Sequence, residues 1–405
     1  MTFFCSSLLV RSTKQSIFLP TPISWIASRF ALAMILFCYF PILAHSKPTL
    51  TANGFVDFSA AVHDQTIKNH IYRNKVVGND SQLFLKAMMP LDGVKYGAVT
   101  KFEMNYNSDK RNENPNLDQA FIFVEGWLGK VEFGNNQAVN QKVKAGTSRL
   151  VRGAGGINGK YLENVNLPDS EFILLAQSPI GHGGYSKSAL RPYARSQFRA
   201  LKDDSFDGVE DATKISYYSP RIKGLQLAAS YAPNSGNIGV TKQTVRDANF
   251  VKIENIFSAA ASYEEDFDNL TVELSATAEH GHSRSTRHGN LFAYDFGSSL
   301  SYFGFTIGAT YSSWGKSLQT DPKTNTSYYT LGISYRFGPF ATSLSNLEST
   351  CQKNKYSATS LGFDYKLTRD LMPYFELTNF SFDPSSQAVA SNRGYAVLTG
   401  ILFSF

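Results

Sequence analysis

Few residues of this chain are spaced for chemistry. His280-Gly-His282 with His288 offers the best metal-ligating spacing, because two imidazoles at i and i+2 of an extended segment share a side and suit Zn²⁺ or Cu²⁺. Solvated loop histidines explain the same spacing, and no metal is assigned. Gly153-x-Gly155 starts like a dinucleotide-binding turn, but Asn158 stands where the third glycine belongs and no strand–helix–strand unit surrounds it. Gly184-Tyr-Ser186-Lys-Ser188 lacks the second glycine of a nucleophile elbow. Ser313-Trp-Gly-Lys316 has Ser-x-x-Lys spacing without its companion motifs. Cys351 has no partner once an N-terminal leader is removed, and it is expected on a loop. What remains is charge, which steers and orients solutes but breaks no bonds. The chain therefore reads as no enzyme and calls for no cofactor.

Composition narrows the classes. The 405 residues are 42% apolar, 18% charged and 14% aromatic, with 31 Phe and 21 Tyr. So many aromatics exclude a disordered chain. After residue 46 no stretch approaches the about 18 apolar residues of a membrane-spanning helix. Three cysteines exclude a disulfide scaffold. The net charge of +6 includes Arg11, Lys14 and Arg29 in a leader free of acids; without them 36 basic residues face 33 acidic ones. That balance gives no reason to expect nucleic acid.

Residues 1–46 read as an N-terminal extension and secretory signal: Arg29, the apolar run Phe30–Phe40, then Ala44-His45-Ser46 with cleavage after Ser46.

Beyond it, alternation with period two recurs. Leu270, Val272, Leu274, Ala276 and Ala278 alternate with Thr271, Glu273, Ser275, Thr277 and Glu279. Tyr329, Leu331, Ile333, Tyr335 and Phe337 do the same over 326–337, and Val251, Ile253, Phe257, Ala259, Ala261 and Tyr263 over 251–263. A strand sends successive side chains to opposite faces, so each has one oily and one wet face. Sixteen such strands fit: 49–63, 80–89, 94–107, 118–127, 129–134, 212–219, 224–232, 250–263, 269–280, 290–303, 304–314, 326–337, 340–347, 355–367, 372–382 and 392–405. Their connections alternate short and long. Asp92-Gly93, Phe303-Gly304 and Gly338-Pro339 are short; 64–79, 108–117, 135–211 and 233–249 are long. Hairpin turns at one end and long loops at the other describe a transmembrane antiparallel up-and-down β-barrel, an all-β fold occupying 47–405. Lipid requires every backbone amide to be paired, so the sheet must close.

Tyr395, Val397, Thr399, Ile401, Phe403 and Phe405 alternate up to a terminal aromatic. Here the sequence resembles bacterial outer-membrane barrels, whose last strand is read by the barrel assembly machinery; the resemblance makes Tyr395, Phe403 and Phe405 the assembly signal. Residues 212–233 resemble a strand–turn–strand of Gram-negative general porins, with Ser219-Pro220, a short turn to Gly224 and an alternating strand ending in Ser230-Tyr231. Gly129-Lys-Val-Glu-Phe-Gly134 is similar to the strand before the porin constriction loop, and Gly153-Ala-Gly-Gly-Ile-Asn-Gly159 to the glycine-rich part of that loop in α-proteobacterial porins. The resemblance implies a homotrimer of sixteen-stranded barrels in the outer-membrane lipid, with the third long loop, 135–211, folded into the lumen as a constriction.

The expected function is passive diffusion of ions and small hydrophilic solutes, since sixteen strands leave an aqueous channel. A substrate-selective channel for sugars or an anion is the alternative; a barrel enzyme or an adhesive surface protein finds less support. Strand phase places Asp57, Lys86, Lys101, Glu103, Lys214, Lys252, Glu254, Asp295, Arg336, Asp364 and Glu376 on the inner face. The porin resemblance implies a basic wall opposite an acidic loop. The wall candidates are Lys86, Lys101, Lys214, Lys252 and Arg336, and the loop candidates Glu163, Asp169 and Glu171. Arg149, Arg152, Arg191, Arg195, Arg199 and Lys202 leave the loop mixed in charge, for lining the constriction or for anchoring the loop to an acidic wall.

Overall fold

The computed structural model describes residues 47–68, 75–103, 116–150, 153–158, 160–165, 212–234, 253–283, 289–317, 325–351, 353–385, 387 and 390–405. The strands are β1 (Thr49–Gln65), β2 (Lys75–Leu91), β3 (Val94–Glu103), β4 (Asn116–Gly126), β5 (Gly129–Asn135) and β6 (Thr213–Tyr218). Then follow β7 (Leu225–Asn234), β8 (Ile253–Phe267), β9 (Leu270–Ser283), β10 (Leu291–Tyr302) and β11 (Phe305–Gly315). The last are β12 (Thr326–Phe337), β13 (Phe340–Cys351), β14 (Asn354–Tyr365), β15 (Leu371–Asp383) and β16 (Asn392–Ser404). Each pairs antiparallel with its sequence neighbours, and β1 also pairs with β16 from Phe55↔Ser404 to Gln65↔Gly394. The sheet is thereby a closed barrel without an edge, the all-β architecture expected of the alternating pattern.

Side-chain alternation sets the two faces. On β10, Phe292, Phe296 and Leu300 stand exposed on the outside, whereas Asp295 and Ser299 are buried inside. On β12 the exposed residues are Tyr329, Leu331 and Ile333, and the buried ones Tyr328, Thr330 and Ser334. Aromatics gather where the strands meet the short turns. The rings of Phe305, Tyr335, Phe337, Phe340 and Tyr365 form a row with successive centroids 4.1, 5.6, 5.4 and 4.7 Å apart. Such rows suit the membrane–water interface, where a ring meets both phases.

The turns follow from their residues. Asp92 (φ 41°) with Gly93 (φ 83°), and Phe303 (φ 44°) with Gly304 (φ 85°), are paired left-handed conformations. That geometry matches the twist of the flanking strands, and glycine adopts it without a steric penalty.

Three expectations are corrected. Strand phase groups Ile253 with Phe257 on the outer face and sets Glu254 inside, but a bulge between Glu254 and Phe257, with Asn255 at φ 51°, flips the phase, burying Ile253 inside and turning Glu254 outward. β2 begins at Lys75 rather than at residue 80, because its ladder with β1 continues to Val62↔Lys75. Cys351 is buried at the end of β13 rather than on a loop.

The interior holds more than strands. After β5 the chain turns inward and forms α1 (Val139–Lys142), then 3₁₀ turns at Thr147–Leu150, Gly156–Asn158 and Lys160–Asn164. Its Ala154, Ile157, Tyr161, Leu162 and Val165 are buried in one apolar cluster with wall residues Tyr356, Tyr374, Phe380 and Leu398. The loop is thus a packed part of the barrel's core.

Candidate pore constriction

The loop runs along the inner wall in strand order. α1 packs on β6–β9, the turn at 147–150 on β10–β13, the turn at 156–158 on β13–β15, and the turn at 160–164 on β16 and β1. Among the described residues no helical turn packs comparably on β2, β3 or β4.

Glycines bring the backbones together. Gly146 (φ +112°) lies so close to β11 that a Cβ there would stand 2.1 Å from Thr310 Oγ1 and 2.7 Å from the Ala309 carbonyl. From the wall side, a Cβ on Gly297 would stand 2.2 Å from the Ala145 carbonyl.

Charge then fixes the loop. Lys142 reaches Glu132 of β5 at 2.5 Å, and Lys130 reaches the same carboxylate at 2.6 Å. Asn136 donates to Glu132 as well, and Asn140 to Glu279 at 2.7 Å. Lys144 meets Asp295 at 2.9 Å and donates to the Tyr328 hydroxyl. The Gly156 amide donates to Glu376 at 2.7 Å and the Gly153 amide to Asp364 at 3.3 Å. Lys160 reaches Asp57 at 2.5 Å, and the Tyr374 hydroxyl donates to the same carboxylate at 2.9 Å. The described part of the loop is therefore cationic where it meets an anionic wall.

Two loop groups have their ionisation set by this packing. Burial pulls the Lys142 ammonium below the ordinary lysine range, and the Glu132 carboxylate opposes that shift. Burial, and then the neighbouring Tyr356, holds the Tyr161 phenol well above the ordinary tyrosine range. Tyr161 thus stays neutral and shares a 3.0 Å hydrogen bond with the Tyr356 hydroxyl.

The chain that forms this closed sixteen-stranded barrel matches the Gram-negative porin family in sequence over residues 31–385. This chain belongs to that family. The porin is a non-enzymatic outer-membrane β-barrel. Among curated proteins it is 25% identical to an uncharacterised protein of Rickettsia typhi, over 84% of this chain and 88% of that one. It is 28% identical to an uncharacterised protein of Rickettsia conorii, over 65% and 70%. Among solved structures it resembles the anion-selective porin from Comamonas acidovorans, with a TM-score of 0.59 and 18% identity over 89% of this chain and all of that one. An engineered variant of the Rh. blastica porin superposes with a TM-score of 0.53 at 15% identity, over 88% and 100%. At these identities the structural likenesses speak for the fold.

In the porin, Lys86 of β2 and Lys101 of β3 face inward on adjacent strands, the first exposed and the second buried. Lys214 of β6 also faces inward but is sealed beneath the loop, donating to the carbonyls of Asn136 and Ala212. Arg336 of β12 lies near the short-turn rim, lining a cavity with Gly153, Asp364, Lys366 and Arg369. Tyr395, Phe403 and Phe405 all point outward, and the backbone of Phe405 pairs with Gly54 at 2.9 and 3.0 Å. Lys252, Asp169 and Glu171 lie outside the described residues, as do the side chains of Arg149 and Glu163 and the whole of Arg152, Arg191, Arg195, Arg199 and Lys202. Sequence reasoning missed Lys142, Lys144 and Lys160, whose partners are distant in sequence, and Lys130, which shares Glu132. The spacing Lys130-Val-Glu132, with both residues in one inward phase, is the signal that could have found the last.

Proposed function

We propose that the porin forms a water-filled channel for passive diffusion of ions and small hydrophilic solutes across the outer membrane. The observation that carries this reading is the inward-folded loop. It is pinned on β6–β16 and β1, and among the described residues no helical turn packs comparably on β2–β4, which supports a channel narrowed by a loop along its inner wall. The leader pattern supports a mature form that begins after Ser46, and the family resemblance supports a homotrimer. Purified protein in planar bilayers tests this: stepwise ohmic conductance in groups of three is expected, and folded protein that conducts nothing overturns it.

A preference for anions is the second reading, favoured by the exposed ammonium of Lys86. No ion pair holds that lysine among the described residues. The Comamonas porin of the same fold is described as anion-selective, which is compatible with this sign. The reversal potential in a KCl gradient measures it.

A further inference from the structure

One side of the lumen is aromatic. A porin interior is polar by default, yet Phe84 of β2 and Phe121 and Phe123 of β4 all point into it. Each ring carries an ammonium. Lys101 Nζ lies 5.5 Å from the Phe84 centroid, and Lys86 and Lys130 lie 5.2 and 5.4 Å from that of Phe123. Lys142 lies 4.9 Å from the Phe121 centroid. The wall is shaped for this. Gly97 sits beneath Phe123, and a Cβ there would stand 3.0 Å from the ring, so the glycine lets the phenyl lie down across β3 towards Lys86. Cation–π contact holds each flexible lysine over a fixed plane, which lowers the ordering cost when a ligand arrives. Among the described residues, the inward acids of these strands are Asp80, which faces Lys160, and three glutamates. Glu132 is shared between Lys130 and Lys142, Glu103 accepts a long hydrogen bond from Gln82, and Glu125 stands in register between Lys95 and Lys130.

We propose that Lys86, Lys101, Lys130 and Lys142, held over Phe84, Phe121 and Phe123, form a binding station for small organic anions. The exposed ammonium of Lys86 takes a carboxylate or phosphate group, the neighbouring ammoniums add positive charge around it, and the half-buried rings of Phe84 and Phe121 take the apolar body attached to it. An inorganic anion uses only the first half of the station, and a neutral aromatic only the second. The inference rests on the channel reading and deepens it: solutes with both parts pause at this wall.

The test is current block in planar bilayers at constant ionic strength. Channels are first recorded in KCl alone, then titrated with benzoate, acetate or benzyl alcohol. Benzoate interrupts the current at about tenfold lower concentration than either acetate or benzyl alcohol. Lys86→Gln with Lys101→Gln abolishes that difference. Phe84→Leu and Phe121→Leu, which keep an apolar side chain, each narrow the benzoate-to-acetate ratio several-fold, with every variant referred to its own KCl conductance. Channels that conduct KCl but respond alike to benzoate and acetate overturn the station and leave the channel standing. An unchanged ratio in both phenylalanine variants overturns the role of the rings. Folded protein silent in KCl overturns the channel reading and the station with it.

Discussion

Glu132, on the strand that launches the inward loop, and Lys142, on the first helical turn of that loop, are 2.5 Å apart, and the carboxylate is 1% exposed. The pair closes a short circuit of chain: β5 leaves the wall, turns once and is tied back to the wall it left. Removing one partner of a buried pair strands the other charge, at a cost of about 3–5 kcal/mol. Here Lys130 keeps a second bond to Glu132, so Lys142→Met falls below that range and Glu132→Gln, which strands two lysines, falls within it. The order Glu132→Gln worse than Lys142→Met is read from urea unfolding midpoints. Current noise from the loosened loop should follow the same order.

Gly146 has a steric rather than an electrostatic part in the same architecture. A side chain there meets Thr310 and the Ala309 carbonyl, and its φ of +112° disfavours any residue but glycine. Gly146→Val should lift the loop from β11 into the lumen. Single-channel conductance falls while the barrel persists, which circular dichroism of the strands checks.

The barrel is legible in the sequence because lipid imposes a rule on every strand separately. Phe292, Phe296 and Leu300 must be oily whatever their neighbours do, and Asp295 and Ser299 must be wet. The loop obeys no such local rule. Lys142, Lys144 and Lys160 find partners 10, 151 and 103 positions away at Glu132, Asp295 and Asp57, and nothing in their spacing encodes those distances. The expected acidic groups of the loop, the side chain of Glu163 with Asp169 and Glu171, lie outside the described residues. Lys86 and Lys101 stand on the wall, but from α1 to the last 3₁₀ turn the loop presents lysines to wall carboxylates. Phase errors come from bulges such as that at Asn255, which a strict period of two does not contain.

Reversing the charge of the wall is the direct check on its part in selectivity. Lys86→Glu with Lys101→Glu should move the reversal potential in a KCl gradient towards cations. The shift should shrink between 0.1 and 1 M salt, as the screening length falls from about 10 to about 3 Å. A shift that is indifferent to salt would indicate an altered loop position instead of altered lumen charge.

Lys142 gives the channel a pH response in the alkaline range. Its ammonium is held below the ordinary lysine range by burial, so it loses its proton before solvated lysines do. In the window between the folded and unfolded values the unfolded chain binds the extra proton, so this group's contribution to stability rises with pH there. Conduction changes in the opposite sense: one positive charge leaves the lumen, and preference for anions declines. Lys142→Met should remove that alkaline step from a plot of reversal potential against pH while leaving any steps at higher pH.

The terminal residue joins folding to assembly. Phe405 exchanges two backbone hydrogen bonds with Gly54, and its ring lies over that glycine, where a Cβ would stand 2.7 Å from the ring. Its ring also sits 6.1 Å from that of Phe403 on the outer face. Deleting Phe405 removes the last rung of the β1–β16 seam together with an exposed aromatic, whereas Phe405→Ala removes the ring and leaves the rung. If the seam matters most, Phe405→Ala folds nearly as well as the parent and the deletion does not. If the ring is what the assembly machinery reads, both lose folded protein in the outer membrane, yet both refold equally in detergent. Heat-modifiable mobility on gels, measured in cells and after refolding, separates these two outcomes.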